Sequence, residues 1–444
     1  MAGGGHMEAQ EHRELVLVAK GALVGVAAGF LVALYRWVVA TAGEWLLKGA
    51  AWLHRFGVLG FIVVAAAVAV LTAIIGAIMR LKVACRGSGI PQVELEIQGE
   101  YELDAAGTVP ARFASGAFAA LAGFSLGREG PSVELGAVCG KLFAQVTGES
   151  AAHKRTLMTC GAAAGMAAAF QAPLTGVMFA LEEVHKRFTA SVVITCMASC
   201  VCACYVANAL FGLDPVLALA YDQVIPQQWY VLLLVAGVVF GFASALHNQV
   251  MFWLKGVAAR CGRGSLVRVL VPLALVDVGL VWWLPLVCDG GDGLLEFLQA
   301  GSFTPAVLAG LLLAKYGATA LCFAGDLPGG TLYPLMCVGA LTGGCVGSVA
   351  CWACGLDTVY LVNFMLLGIA GLFAGVVRAP VTACLLVFEL TGQIHALLPL
   401  ALVSIVSYVV ASWTGVDGLY EHLIARLRAI QKPTAGVASS SKDC

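Results

Sequence analysis

Charge is what this sequence has least of. Lys and Arg number 25 and Asp and Glu 26 in 444 residues, 11% of the chain, where a soluble domain carries about 25%. So few polar groups cannot cover a soluble protein of this length. A soluble enzyme is excluded and, with 60% of residues apolar, so is a disordered chain. The net charge of −1 leaves no bulk field to draw in nucleic acid, so no nucleic-acid partner is expected. Alternating apolar and polar stretches are missing as well, which excludes a transmembrane barrel. No disulfide framework is present. The 16 cysteines are scattered, and most, such as Cys196, Cys200, Cys202 and Cys204, sit inside apolar runs as small packing residues. Cys351 and Cys354 form a CxxC with no second pair and no βαβ context, so no metal site and no cofactor is expected.

What is present is apolar sequence in long continuous runs. They lie near 15–42, 56–79, 190–212, 229–254, 266–287, 305–324 and 396–414, each able to cross a bilayer at roughly 20 residues. Between them are shorter apolar pieces broken by Gly and Pro, at 109–126, 131–147, 157–171, 173–184, 331–352, 361–376 and 380–391. Such pieces suit helices that stop inside the membrane, tolerated only where they line a protein cavity. The class is an all-α polytopic membrane protein of a cell membrane, with lipid around it. Residues 1–6 read as an expression remnant before a native start near Met7, within an N-terminal tail at 1–12. Residues 431–444 read as a short C-terminal tail, and no separate soluble domain is expected.

Two segments occur twice. Cys160–Val184 aligns on Leu367–Thr391 at an offset of 207 residues, with Gly161 on Gly368, Pro173 on Pro380, Thr175 on Thr382 and Glu182 on Glu389. Gly127-Arg-Glu-Gly-Pro131 aligns on Gly330-Thr-Leu-Tyr-Pro334 at an offset of 203, and Gly136 and Gly140 then fall on Gly339 and Gly343. Matching order and offset indicate a duplicated unit, with halves at 13–212 and 225–430. Arg13 and Lys20 precede the first long run of half one, whereas Lys255, Arg260, Arg263 and Arg268 follow that of half two. With basic residues on the cytoplasmic side, these two helices run in opposite directions. Arg80, Arg86, Lys186, Arg426 and Lys432 fall on that side too. An inverted repeat is the plan of many secondary transporters, whose site lies near the midplane.

Gly87-Ser-Gly-Ile-Pro91, Gly127-Arg-Glu-Gly-Pro131 and Gly330-Thr-Leu-Tyr-Pro334 each read as a glycine turn opening a helix. Such turns leave free backbone N–H groups at the positive end of a helix dipole. Three of them meeting inside a membrane make an anion site with no full positive charge, from which a bound anion is able to leave. Glu129 starts one of these helices. As a carboxylate it competes for the same site, and as an acid it lets go, so it reads as gate and proton acceptor. The alternative is a buried carboxyl paired with Arg128. Glu182 and Glu183 end an apolar helix before Lys186, and one of them is read as passing protons inward, against the plainer reading of a solvated helix end. Glu94, Arg378 and Glu389 read as structural pairs at helix ends, and His247 and His395 receive no role.

These motifs, in this order from about Glu14 to Lys432, resemble the CLC chloride channel and chloride/proton antiporter family, in its compact prokaryotic form. The quoted residues are GSGIP, GREGP, the block GAAAGMAAAFQAPLTGVMFALEE, and VRAPVTACLLVFE followed by Tyr420. The resemblance implies an inverted repeat of about eighteen helices, a homodimer with one pore per subunit, and exchange of chloride against protons. It implies that Ser88 and Tyr420 coordinate the central anion, that Glu129 is the external gate beside Arg128, and that Glu183 is the internal proton-transfer glutamate. It places the backbone of Thr331 and Leu332 at the anion from the third helix start, with Gly87, Gly89, Ile90, Arg128 and Gly130 completing the chloride-binding turns. Two positions depart from the family pattern. Leu332 stands where Phe is usual, which bears on path width. Glu134 stands where a neutral residue is common, and if ionised and close it is expected to raise the proton affinity of Glu129. Ser88 favours chloride over fluoride, and Glu183 favours antiport over the runner-up, a passive anion channel. An intramembrane enzyme with paired acids finds no second motif-bearing acid beside Glu129. A cation-coupled transporter of organic substrates finds no acidic cluster.

Overall fold

The boundaries of the helices follow local chemistry. Pro173 and Pro380 open helices in their first turns, each after an extended Ala that the following Pro keeps out of the helical region. Asp104, Ser150 and Thr189 cap others, accepting from the amides of Gly107, His153 and Val192. The computed structural model describes residues 2–213, 217, 219, 223–261, 265–299 and 303–431, with side chains from His12 to Ile430. Arg263, Lys432 and the tail from 432 onward lie outside the described residues. Half one holds α1 (Ala2–Leu53), α2 (Val58–Leu81), α3 (Ile90–Gln98), α4 (Ala105–Ala122), α5 (Glu129–Val146), α6 (Ala151–Phe170), α7 (Pro173–Phe179) with a π-helical turn at Ala180–His185, and α8 (Ala190–Phe211). Half two holds α9 (Tyr230–Cys261), α10 (Val267–Trp283), α11 (Asp292–Gln299), α12 (Pro305–Ala324), α13 (Leu332–Cys354), α14 (Leu361–Val377), α15 (Pro380–Thr391), α16 (Leu397–Trp413) and α17 (Leu419–Gln431). Among the described residues the fold is all α, with no strand. The helix runs from Ala2, so the residues read as an N-terminal tail continue α1.

Eight helical segments are long and apolar enough to cross a membrane: those of α1, α2, α8, α9, α12, α13, α14 and α16. Six come from the long apolar runs. The other two, α13 and α14, were expected as broken pieces, but their glycines are absorbed by helix packing and do not interrupt them. The run at 266–287 yields the 17-residue α10, which stops before Pro285.

The duplication is visible in the packing. Contacts of α1 with α8, α5 with α6, and α6 with α8 recur as α9 with α16, α13 with α14, and α14 with α16. The α5–α6 crossing is lined by Gly136, Gly140, Gly161 and Gly165, and a Cβ on any of them would meet backbone of the other helix. Gly339, Gly343 and Gly368 repeat this at α13–α14, where a Cβ on Gly339 would stand 2.8 Å from the Gly368 carbonyl oxygen. Small residues let helix backbones approach closely where apolar lipid supplies no hydrophobic drive. Cys160, Cys196, Cys200 and Cys204 are buried with Ala163 and Ala167 in a cluster between α6, α7 and α8.

The halves also cap each other. Glu389 at the end of α15 accepts from the Leu174 and Thr175 amides at 2.9 and 2.7 Å and from the Thr175 hydroxyl at 2.6 Å, at the start of α7. Glu182 at the end of α7 accepts from the Val381 and Thr382 amides at 3.3 and 2.8 Å and from the Thr382 hydroxyl at 2.6 Å, at the start of α15. Each carboxylate therefore satisfies the free donors of the opposite half's helix and its dipole.

Candidate functional site

The three glycine turns meet. Gly127 and Gly330, equivalent in the two halves, exchange backbone hydrogen bonds of 2.6 and 2.7 Å. Gly87 N–H donates to the Asp326 carbonyl at 2.9 Å, tying the first turn to the approach of the third. A Cβ on Gly130 would stand 2.8 Å from the Ser88 Cβ, so the first turn of α5 rests on the Ser88 loop. Gly87 and Gly89 adopt φ of +69° and +90°, which L side chains rarely take. This lets the chain turn sharply into Ile90, the first residue of α3. Glu129 begins α5, and Leu332, preceded by the half-in Thr331, begins α13.

The Glu129 side chain is fully buried and folds back over the paired glycines. A Cβ on Gly330 would stand 2.6 Å from Glu129 Oε2, so glycine is needed there to make room for the carboxylate. No side chain among the described residues hydrogen-bonds either carboxylate oxygen, and the neighbouring donors are the backbone amides of Glu129 and Tyr333. The Arg128 guanidinium turns elsewhere, to Asp292 at 3.5 Å and over the Tyr333 ring at 5.3 Å. A Glu129–Arg128 pair is thus not formed.

Among the other buried polar atoms without a partner are the Ser88 hydroxyl, the Tyr420 hydroxyl and Glu183 Oε1. Tyr420, in the first turn of α17, sets its ring edge-on to Phe179 with centroids 6.3 Å apart. Buried polar groups are normally paired, and Ser88 and Glu129 lie without side-chain partners where the glycine turns meet, which leaves room for a ligand there. Glu183 lies in the π-helical turn, while its neighbour Glu182 is the cap of α15. The sequence leaves the two glutamates alternatives; the structure gives Glu182 a structural task. Lys186 pairs with Glu94 at 2.8 Å, and Arg378 donates to the Ala411 and Val416 carbonyls at 2.7 Å each.

Glu134, whose effect on Glu129 the sequence makes conditional on its being ionised and close, forms an ion pair with Arg112, and both side chains are wholly buried. Its charge is therefore met at source. Arg112 is the site residue that sequence reasoning missed. An arginine within the apolar stretch 109–126 is itself the signal that was available.

Cavities adjoin the glycine turns. One, of about 210 Å³, is lined by Ser88 and Thr331 and adjoins another of about 590 Å³ through Arg86, Asp326 and Arg426, with Arg80 at the rim. Lys255 pairs with Asp326 there, leaving the mouth net basic. The other, of about 990 Å³, is lined by Arg128, Asp289, Asp292 and His54.

A family model described as voltage gated chloride channel matches residues 71–412. The chain belongs to this CLC family and is a multi-pass integral membrane protein. It is similar to the H(+)/Cl(-) exchange transporter ClcA of Vibrio cholerae, 32% identical over 355 residues that cover 78% of this chain and 75% of the relative. The ClcA exchanger of Vibrio parahaemolyticus is 30% identical over 419 residues, 91% of this chain and 88% of the relative. Among solved structures, a slow cyanobacterial Cl−/H+ antiporter superposes with a TM-score of 0.88 at 25% identity, covering 94% of this chain and 98% of that one.

Proposed function

We propose that the chain exchanges chloride for protons, with one pore per subunit of a homodimer. The observation that carries this is the meeting of three helix starts at Ser88 and Glu129, whose buried polar atoms, like the Tyr420 hydroxyl and Glu183 Oε1, find no side-chain partner. A chloride between the Ser88 and Tyr420 hydroxyls would meet N–H groups and dipole ends with no full positive charge, which suits an ion that must leave again. The backbone of Gly87, Gly89, Ile90, Gly130, Thr331 and Leu332 lines these turns. Ionised Glu129 blocks the site and protonated Glu129 opens it. Glu183 supplies protons from the side of Lys186. The intact Ser88 supports chloride over fluoride, by the family resemblance.

Flux from reconstituted vesicles, with external chloride and pH recorded together, tests the reading. A chloride gradient is expected to drive protons uphill in the opposite direction. Glu183→Gln is expected to keep chloride flux and lose proton movement. Chloride flux from the wild type without any proton signal would instead support the passive channel.

Pairing of two copies rests on the faces of α7, α8, α15 and α16. These helices adjoin one another and expose Ile194, Tyr205, Ile405 and Trp413. In lipid such a face is held by shape and not by hydrophobicity. Light scattering in mild detergent is expected to give twice the chain mass. A monomeric particle that retains flux after reconstitution would remove the dimer from the proposal.

A further inference from the structure

We infer that Glu134 sets the affinity of the anion site by neutralising Arg112 directly behind Ser88. This rests on the chloride site proposed above and adds a specificity-determining pair to it. Arg112 Nη1 donates to the Cys85 and Gly87 carbonyls at 2.9 and 2.7 Å, and Nη2 donates to the Ala84 carbonyl at 3.0 Å. All three acceptors belong to the loop that presents Ser88. Arg112 Nε meets Glu134 Oε2. A Cβ on Gly89 would stand 2.7 Å from that same carboxylate oxygen. The ion pair thus meets the loop at Gly87 and Gly89, the residues before and after Ser88. Neither side chain has any exposed surface, and no other carboxylate among the described residues pairs with Arg112.

A guanidinium stays charged in any protein environment. It organises the loop through its donors, but an uncompensated cation at this position would hold an anion too firmly. Glu134 removes the field while leaving the donors in place. It starts from α5, whose first residue is Glu129, so gate helix and anion loop are joined through one buried pair. A unit charge about 10 Å away, at an effective dielectric constant of about 20, changes anion affinity on the order of tenfold.

Glu134 and Arg112 are positioning residues here, so the test needs a readout that simple disruption would not move in the expected direction. Chloride binding to the purified full chain is measured by titration calorimetry, beside vesicle flux. Glu134→Gln is expected to lower the chloride Kd about tenfold, equal to about 1.4 kcal/mol, and to slow turnover as release becomes limiting. Loss of packing alone would weaken binding. Arg112→Gln and Arg112→Gln/Glu134→Gln both lack the guanidinium donors and differ only in the Glu134 charge, so the double variant is expected to bind chloride about tenfold more tightly than Arg112→Gln, and this pair serves as the test should Glu134→Gln fail to fold. Wild-type binding with an unchanged or weaker Glu134→Gln overturns the inference, as does a folded double variant that binds no more tightly than Arg112→Gln. A wild type that binds no chloride overturns the anion-site reading, and this inference with it.

Discussion

Glu129→Gln is expected to leave chloride flux running while abolishing proton movement and flattening its pH dependence. The carboxylate is buried, folded over Gly127 and Gly330, and free of side-chain partners. In a low-dielectric path a charge at converging helix starts is held far more firmly than in water. On the proposed reading an anion and this carboxylate exclude each other, protonation cancels the hold, and glutamine makes that cancellation permanent. With wild-type protein, turnover should rise as pH falls, since only the protonated fraction is open, and by at most about tenfold per pH unit. With Glu129→Gln the slope should vanish and the coupling should be lost completely. Chloride and proton traces from the same vesicles across a pH series read all three effects. Loss of chloride flux in a folded variant, or retention of the full pH slope, would show that Glu129 is not the gate.

The second large effect concerns the glycine crossings. Gly136→Ala and Gly339→Ala are each expected to cost about 1–3 kcal/mol, because each added methyl meets backbone that has no rotamer to yield. At Gly339 the obstacles are the Gly368 carbonyl oxygen and Ile369 Cα, both at 2.8 Å. Alanine's better helix propensity, worth up to about 1 kcal/mol, offsets only part of this. Gly317→Ala in α12 is the control, since nothing lies within 4 Å of its Cβ position, and it is expected to be neutral or stabilising. Thermal midpoints in detergent at one scan rate compare the three. Gly136→Ala is also expected to lower flux, because a shift of α5 carries Glu129 with it. Equal midpoints for all three variants would mean that the crossings have room that the packing denies.

Apolar run length, proline and glycine act over a few residues, and the sequence alone determined what depends on them. The membrane class, most helix starts, the duplicated unit and the three glycine turns were all legible. So was the equivalence of Gly127 with Gly330, although nothing in an offset of 203 residues says that the two touch. Which side chain faces which partner was decided by the tertiary structure. Glu182 and Glu183 are neighbours in sequence but leave the π-helical turn in different directions. One caps the start of α15 in the other half, and the other is left buried and unpaired. Arg128 finds Asp292 across 164 residues and Arg112 finds Glu134 across 22, each pairing created only in the folded chain. The glycines of α13 read as breaks, yet they are the surface against which α14 packs, so the helix continues. Local patterns carry propensity. A buried charge answers to whatever the fold brings within about 4 Å of it, and that depends on crossings set by the chain as a whole.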